Sequence, residues 1–535
     1  MNIFQKKIQS ALSNNMQNFD ETNLEQMDAV KSISEGNNLF ITGEGGTGKS
    51  HFISTLAKIF EINKISFRIV TPTGITAINL NESLMSNGCT PVASTYHSLY
   101  GFIPNRDDRT LHKNVKSLIK ELDVLIIDEA PMIDAYSIDR MSFRHNYPQK
   151  DTGDLQKRLK SEMFGREDLF DKFFGDTQVI MFGDLFQLPP IVNNDLTKYG
   201  YASKYIFDSF SYKQGAFKII SFYKNYRVAE FADEKNKRKS QILKALLKDI
   251  RYGCISDSSK AALNQLNTKR VINNNNIITS ILENDNILLS PYNADCFNIN
   301  EKVKAKLDGK EVYLHPFLSG GVARELKFSS IEETERFLDK RFDTPRVLVI
   351  KIGQRVLITT NNPKKGFYNG DIGIVNAINT FKGDIISIEV LIKRAGEFKK
   401  YVIERKLYIK PTTSEIIKLN AIKATVIGVS VEDQVRKIVK NWIEQFPLKD
   451  GFAITFHRAQ GKTFEKTIIN PNGFGTGGLY VALSRNTNLD GILLTDKIKP
   501  SHISVDNYVL KFYYDNGLIE EYMEDAVRNK LNITI

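Results

Sequence analysis

The stretch Gly43-Glu44-Gly45-Gly46-Thr47-Gly48-Lys49-Ser50 constrains this chain more than any other. It fits the pattern G-x-x-x-x-G-K-[ST]. Before it, Asn38-Leu39-Phe40-Ile41-Thr42 reads as a short buried strand; after it, Phe52, Leu56, Ile59 and Phe60 recur at helical spacing. A strand, a glycine-rich turn and a helix N-terminus together make a phosphate cradle. The glycines let backbone N–H groups point inward, and the helix dipole adds positive potential. In such a cradle Lys49 reaches the β- and γ-phosphates and the Ser50 hydroxyl holds Mg²⁺. The expected ligand is a nucleoside triphosphate.

At 535 residues the chain is too long for one hydrophobic core and is expected to form about three or four compact units. Hydrophobic content of 41% and charged content of 25% are those of a soluble globular protein. The net charge of +11 favours a polyanionic partner. Cys89, Cys254 and Cys296 are scattered without metal spacing, which points to a reducing, intracellular compartment with neither disulfides nor zinc. No apolar run is long enough for a membrane span. Residues 1–20 read as a polar tail, a fraying helix rather than a secretion or targeting signal.

Ahead of the phosphate loop, Gln26 has two readings, a solvated helix residue or an amide that pairs with an adenine edge. Phe67-Arg68-Ile69-Val70 reads as a strand running into Thr71-Pro72-Thr73-Gly74. The turn at Pro72 leaves Thr73 and backbone N–H groups at a sheet edge, suited to nucleic-acid phosphates, although Thr73 also serves as a helix N-cap. Thr95 and His97, in Ser94-Thr95-Tyr96-His97-Ser98, join them as candidate contacts; taken alone, His97 reads as a structural histidine. Val124-Leu125-Ile126-Ile127-Asp128-Glu129 is an apolar strand that delivers two acids at its C-terminal end. There Asp128 would take Mg²⁺ and Glu129 would act as general base toward water. A third strand, Gln178-Val179-Ile180-Met181-Phe182, leads to Gly183-Asp184-Leu185-Phe186-Gln187-Leu188-Pro189-Pro190. Gln187, fixed between a strand end and a Pro-Pro stop, suits a γ-phosphate sensor.

That last run, with the motifs before it, resembles the Pif (petite integration frequency) family, DNA helicases of superfamily 1B related to RecD. The second half continues the resemblance in the family's order. Asn225-Tyr226-Arg227 follows a strand, Ala453-Ile454-Thr455-Phe456-His457-Arg458-Ala459-Gln460-Gly461-Lys462-Thr463 matches the Gln-Gly-x-Thr segment, and Leu479-Tyr480-Val481-Ala482-Leu483-Ser484-Arg485 matches the last motif. The resemblance implies an α/β fold with two RecA-like motor domains, a wedge insertion in the first and a β-barrel-like insertion in the second. It makes Arg227 and Arg485 candidate arginine fingers, and Thr455, His457 and Gln460 a second set of DNA contacts. It further implies an ATP-dependent, Mg²⁺-requiring 5′→3′ helicase that acts on single-stranded and tailed or forked duplex DNA, in replication, repair or recombination. A monomer is expected, with no membrane partner.

The expected divisions are an N-terminal tail at 1–20 and a first motor domain at 21–222 with its wedge at about 99–121. A second motor domain follows at 223–300 and 447–500, with a β-rich insertion at 301–446 and a helical segment at 501–535. Asn369-Gly370-Asp371 reads as a tight turn within the insertion. Two departures from the family stand out. Ala130-Pro131 occupies the place of the usual serine after Asp128-Glu129, and the charged stretch from Asp134 to Gly175 is long, without a functional account. Rival readings are a DNA-stimulated translocase that opens duplexes poorly, an RNA helicase, and a P-loop switch for a protein partner. The two finger arginines oppose the last.

Overall fold

A computed structural model describes residues 3–90, 92–102, 111, 113–150, 153–160, 172–192, 196–226, 234–327, 329–342, 345–360, 362, 365–367, 370–394, 397–409, 436–459 and 462–533. The chain is an α/β protein that divides into two compact units, Met1–Asn274 with Ala459–Ile535, and Asn275–Arg458.

The first unit is built on six parallel strands: β1 (Leu39–Gly43), β2 (Phe67–Thr71), β3 (Ala93–Thr95), β4 (Val124–Ile127), β5 (Gln178–Phe182) and β6 (Lys218–Phe222). Their order across the sheet is β3-β2-β4-β5-β1-β6. Every residue of β1, β4 and β5 is buried, as central strands covered on both faces require. Side chains alternate between two cores. Phe40, Leu125, Ile127, Val179 and Met181 enter one, while Leu39, Ile41, Val124, Ile126, Ile180 and Phe182 enter the other.

Helices α1 (Ile3–Ser13), α2 (Leu24–Ser34), α3 (Lys49–Ile62) and α4 (Gly74–Ser86) belong with the second core. Phe52, Leu56, Ile59 and Phe60 are buried there as their spacing predicts, each contributing about 1.5–3 kcal/mol by leaving water. The expectation of a fraying first helix is corrected. Ile8, Ala11 and Leu12 bury one stripe of α1 in that core, a short apolar pattern hidden among lysines and glutamines.

The stretch from Asp134 onward also has a place in the fold. Helix α5 (Ala135–Asn146) buries Ile138 and Met141 in the first core. Its Asp139 accepts from the Tyr201 hydroxyl (2.7 Å) and the backbone N–H groups of Phe210 and Ser211. His145 lies between the Tyr100 hydroxyl (2.8 Å) and the Thr177 hydroxyl (3.1 Å), and burial pushes its pKa down to about 3. Residues 161–171, and residues 103–110 and 112 of the expected wedge, lie outside the described residues.

Later elements of this unit are α6 (Glu234–Tyr252), α7 (Gly478–Leu483), α8 (Asn507–Asp515) and α9 (Glu521–Leu531), and a parallel pair, Thr467–Ile469 with Ile492–Leu494. The last two helices close the first core: Val509, Leu510, Tyr513, Met523 and Val527 pack with Phe40 and Phe186.

In the second unit Ile287–Ser290 pairs in parallel with Ala453–Thr455. Between them the chain forms a five-stranded antiparallel sheet from Glu397–Glu404, Asp384–Arg394, Ile372–Phe381, Arg355–Ile358 and Leu448–Asp450, in that order. Ile358, Val375, Ile388, Val390, Ile403 and Phe446 fill its core. Gly370, at φ +92°, makes the expected turn, and Asp371 pairs with Arg394 at 2.7 Å; Asn369 lies outside the described residues.

Candidate functional site

Strands β4, β5 and β1 are consecutive neighbours, so their C-terminal ends bring together the acid pair, the glutamine loop and the phosphate loop. Gly43, at φ +141°, must be glycine because a Cβ there would stand 2.5 Å from the Phe222 carbonyl oxygen. Gly48, at φ +84°, precedes the first residue of α3 without a side-chain cap, which leaves the first-turn N–H groups directed at the loop. Lys49 donates from Nζ to the carbonyls of Gly43 (2.6 Å) and Glu44 (2.8 Å), and Thr47 donates to Glu44 O at 2.9 Å. Burial holds the Lys49 pKa below its usual value, against the pull of Asp184 and Glu129. Ser50 is exposed in the first turn of α3, and Gly45 and Gly46 complete the loop.

Gln26 is buried rather than solvated, which settles one of its two readings. Its Nε2 donates to the Tyr226 hydroxyl at 3.3 Å, as does Asn23 Nδ2 at 2.9 Å, and that hydroxyl donates to Asp20 at 2.6 Å. The Tyr226 ring comes so near Gly48 that a Cβ there would lie 3.1 Å from it, and the Tyr226 N–H donates to Gly46 O. Asn225 Nδ2 reaches Gly45 O at 3.4 Å. The segment after β6 thus lies along the phosphate loop. The contact is made by the tyrosine, an aromatic ring at the position the Asn-x-Arg motif leaves open. Arg227 lies outside the described residues.

Asp128 is buried at the end of β4, and Glu129, at φ +50°, turns the chain in a left-handed conformation costly for a residue with a side chain. Burial first, then the Glu129 carboxylate, raises the Asp128 pKa to about 7. Burial likewise raises that of Glu129, opposed by Lys49 and Arg485. Pro131 seats against the neighbouring loop: a Cβ on Gly183 would stand 2.2 Å from Pro131 Cδ.

Gln187 is 9% exposed, and a Cβ on Gly477, just ahead of α7, would stand 2.5 Å from its carbonyl oxygen. Three residues before it, Asp184 receives Arg251 Nη2 at 2.9 Å and Nε at 3.1 Å, and the Tyr480 hydroxyl at 3.0 Å. Asp184 and Arg251 are 1% and 3% exposed, so loss of one partner would strand a buried charge at a cost of about 3–5 kcal/mol. Neither residue was singled out from sequence.

Arg485, 3% exposed, follows α7 and donates to Val481 O (2.9 Å), Lys462 O (3.3 Å) and Ser484 Oγ (2.7 Å). Its positive charge lowers the pKa of Glu129, against the effect of burial. Beside the phosphate loop opens a cleft lined by Glu44, Gly45, Asn225, Lys244, Tyr480 and Ser484.

The expected strand contacts of the first unit converge on the other half of the sheet edge. Thr71 stands opposite Thr95 in the β2–β3 register. Pro72 is half-buried, and Thr73 caps α4 by accepting from Thr76 N at 3.3 Å. Thr95 caps the short helix Tyr96–Tyr100 through Ser98 N at 3.2 Å. His97 is half-buried against Tyr96, and burial, with Arg140 nearby, lowers its pKa. Arg140 of α5 stacks 3.9 Å over Phe102, which puts a cation and an aromatic ring beside them. In the second unit Thr455 is buried at a strand end and His457 lies in the following helical turn; the His457 side chain and Gln460 lie outside the described residues. Among the described residues, no helix is long and apolar enough to cross a membrane.

Residues 21–261 match the model of the PIF1-like helicase family. The ATP-dependent DNA helicase Pif1 of Campylobacter jejuni is 26% identical over 513 residues, covering 94% of this chain and 99% of its own. The corresponding helicase of Bdellovibrio bacteriovorus is 23% identical, covering 92% of each. A crystal structure of a Bacteroides Pif1 helicase in complex with ADP-AlF3 and single-stranded DNA superposes with a TM-score of 0.63 at 24% identity, covering 92% of this chain and 97% of that one. A Candida albicans Pif1 structure gives 0.63 at 20% identity, over 92% and 98%.

Proposed function

The chain belongs to the PIF1-like helicase family, and from that membership we propose that it is an ATP-driven motor that tracks 5′→3′ along single-stranded DNA and parts tailed or forked duplexes. The observation that supports this reading is the adjacency of β4, β5 and β1, whose C-terminal ends lead into Asp128 and Glu129, the Gln187 loop and the loop that carries Lys49. Relatives described as binding single-stranded DNA and as unwinding forked duplexes support the choice of nucleic acid.

In this reading the backbone of Gly43–Gly48 and the start of α3 hold the phosphates. Lys49 leaves the carbonyls of Gly43 and Glu44 for the β- and γ-oxygens. Gln26 pairs with the adenine edge, and the Tyr226 ring beside Gly48 offers the base a flat surface. Ser50 and Asp128 would hold Mg²⁺, which would supply positive charge to the phosphates; two buried carboxylates with raised pKa values are a donor set that favours a cation. Glu129 orients and deprotonates water, Gln187 senses the γ-phosphate, and Arg485 with Arg227 supplies positive charge to the transition state, an effect of ~10³–10⁵ in rate for arginine fingers.

The two motor domains of this reading are 21–222, and 223–300 with 447–500; residues 301–446 form the inserted β-rich domain. Pro72, Thr73, Thr95 and His97 on one, and Thr455, His457 and Gln460 on the other, alternate their grip on the strand. The test is strand displacement on one duplex with either a 5′ or a 3′ single-stranded tail, with Lys49→Ala as blank. Opening of the 5′-tailed duplex alone, and only with Lys49 intact, is expected. Opening of the 3′-tailed duplex alone would overturn the polarity, and ATP turnover on DNA without opening would leave a translocase.

A further inference from the structure

Resting on the reading of this chain as an ATP-driven motor, we propose that Arg251 and Tyr513 are positioning residues for ATP hydrolysis, making the C-terminal helix α8 a working part of the nucleotide site. Four pieces of chain distant in sequence meet at these two side chains. The Tyr513 hydroxyl shares a hydrogen bond with the hydroxyl of Thr42, the residue immediately before Gly43 of the phosphate loop. Its ring centroid lies 4.6 Å from that of Phe186, the residue immediately before Gln187. The Arg251 guanidinium lies 4.6 Å from the Phe186 centroid and 5.3 Å from that of Tyr513, and grips Asp184 with Nε and Nη2. A remaining nitrogen, Nη1, donates to the Tyr252 hydroxyl at 3.0 Å. The second Asp184 oxygen takes the Tyr480 hydroxyl from α7, the helix that Arg485 follows.

The joint therefore sets the start of the phosphate loop, the glutamine loop and α7, which Arg485 follows, in register with one another. Hydrophobic packing alone would let these parts slide by small amounts at little cost. A buried guanidinium aimed in fixed directions does not, because any shift that breaks one bond leaves a charge without a partner in an apolar core. Such rigidity is what a γ-phosphate sensor needs, since displacements of about 1 Å can cost a hundredfold in rate. No residue of the joint touches the phosphates; it acts through Gln187, Arg485 and the loop backbone.

The experiment measures kcat and KM for ATP of the full chain with a poly-deoxythymidine oligonucleotide, alongside the melting temperature. Tyr513→Phe and Thr42→Val each remove one hydroxyl while keeping shape. Both are expected to lower kcat by about tenfold to a hundredfold with KM and melting temperature little changed, and Thr42→Ser, which restores the hydroxyl, to recover most of the rate. An unchanged kcat in Tyr513→Phe overturns the proposal. So does a loss of kcat that only follows a loss of folded protein, because then α8 is packing and nothing more. Should Tyr513→Phe fail to fold, Thr42→Val reads the same hydrogen bond from the strand side. Absence of DNA-stimulated hydrolysis in the unsubstituted chain would strike the motor reading instead.

Discussion

Burial at the end of β4 opposes ionisation of two adjacent carboxylates, and at Asp128 the Glu129 charge adds to the cost. Both pKa values are raised, that of Asp128 from 3.8 to about 7. A raised carboxyl pKa stabilises the fold only below the unfolded value and loses that contribution as pH climbs through the folded one. Without nucleotide or metal, the protein should therefore lose stability between about pH 4 and pH 7 through this pair. Asp128→Asn should raise the melting temperature at pH 8, which a thermal scan of both proteins at pH 5 and pH 8 would reveal as a gain at the higher pH only. Glu129→Gln should leave ATP binding intact while lowering kcat by ~10²–10⁴, the usual worth of a positioned general base. Tyr226 makes a separable case: Tyr226→Ala should weaken ATP binding by the ~1–3 kcal/mol typical of base–aromatic stacking, read as a higher KM. Tyr226→Phe, which keeps the ring and loses the bonds to Asp20, Asn23 and Gln26, should weaken it less.

Helix α5 shows what an element can do without touching substrate. Asp139 satisfies three donors 62, 71 and 72 residues away, and Asp139→Ala would leave all three without that acceptor in a dry core. At ~1–3 kcal/mol for each stranded group, the loss should be at least about 3 kcal/mol in urea unfolding, with ATPase of the surviving folded fraction unchanged. The same helix marks a limit of reading from sequence. β1, β4 and β5 were legible because central parallel strands must be apolar throughout, and the motif residues follow directly at their ends. α5 reads as a charged insertion because buried polar groups such as Asp139 and His145 are matched by distant partners. The pairs Asp184–Arg251, Asp184–Tyr480 and Thr42–Tyr513 are separated by 67, 296 and 471 positions; no local pattern announces them. Gln26 shows the intermediate case: its local setting suits a solvated helix residue as well as an adenine-pairing amide, and the burial beside Tyr226 that rules out the first comes from 200 positions away.

At the scale of the molecule, the first unit is completed by the chain's last two helices, whose Val509, Leu510, Tyr513, Met523 and Val527 share a core with Phe40 and Phe186. A chain stopped at residue 500 should thus give no smaller motor. Loss of a cooperative melting transition and aggregation at micromolar concentration are the expected outcome, measurable by circular dichroism and light scattering. The net charge of +11 makes a further whole-molecule expectation: affinity for single-stranded DNA should fall with salt, with a logarithmic slope of about −0.7 for each phosphate neutralised.

The closing of that core by α8 and α9 also sets a clock on biosynthesis. Roughly three hundred residues separate the end of β6 from the start of α8, about 15–60 s of translation at ~5–20 residues per second. Through that interval one face of the first sheet, Phe40 among it, waits outside the ribosome without its cover. The nascent chain should be a client of chaperones until α8 and α9 have emerged to cover that face.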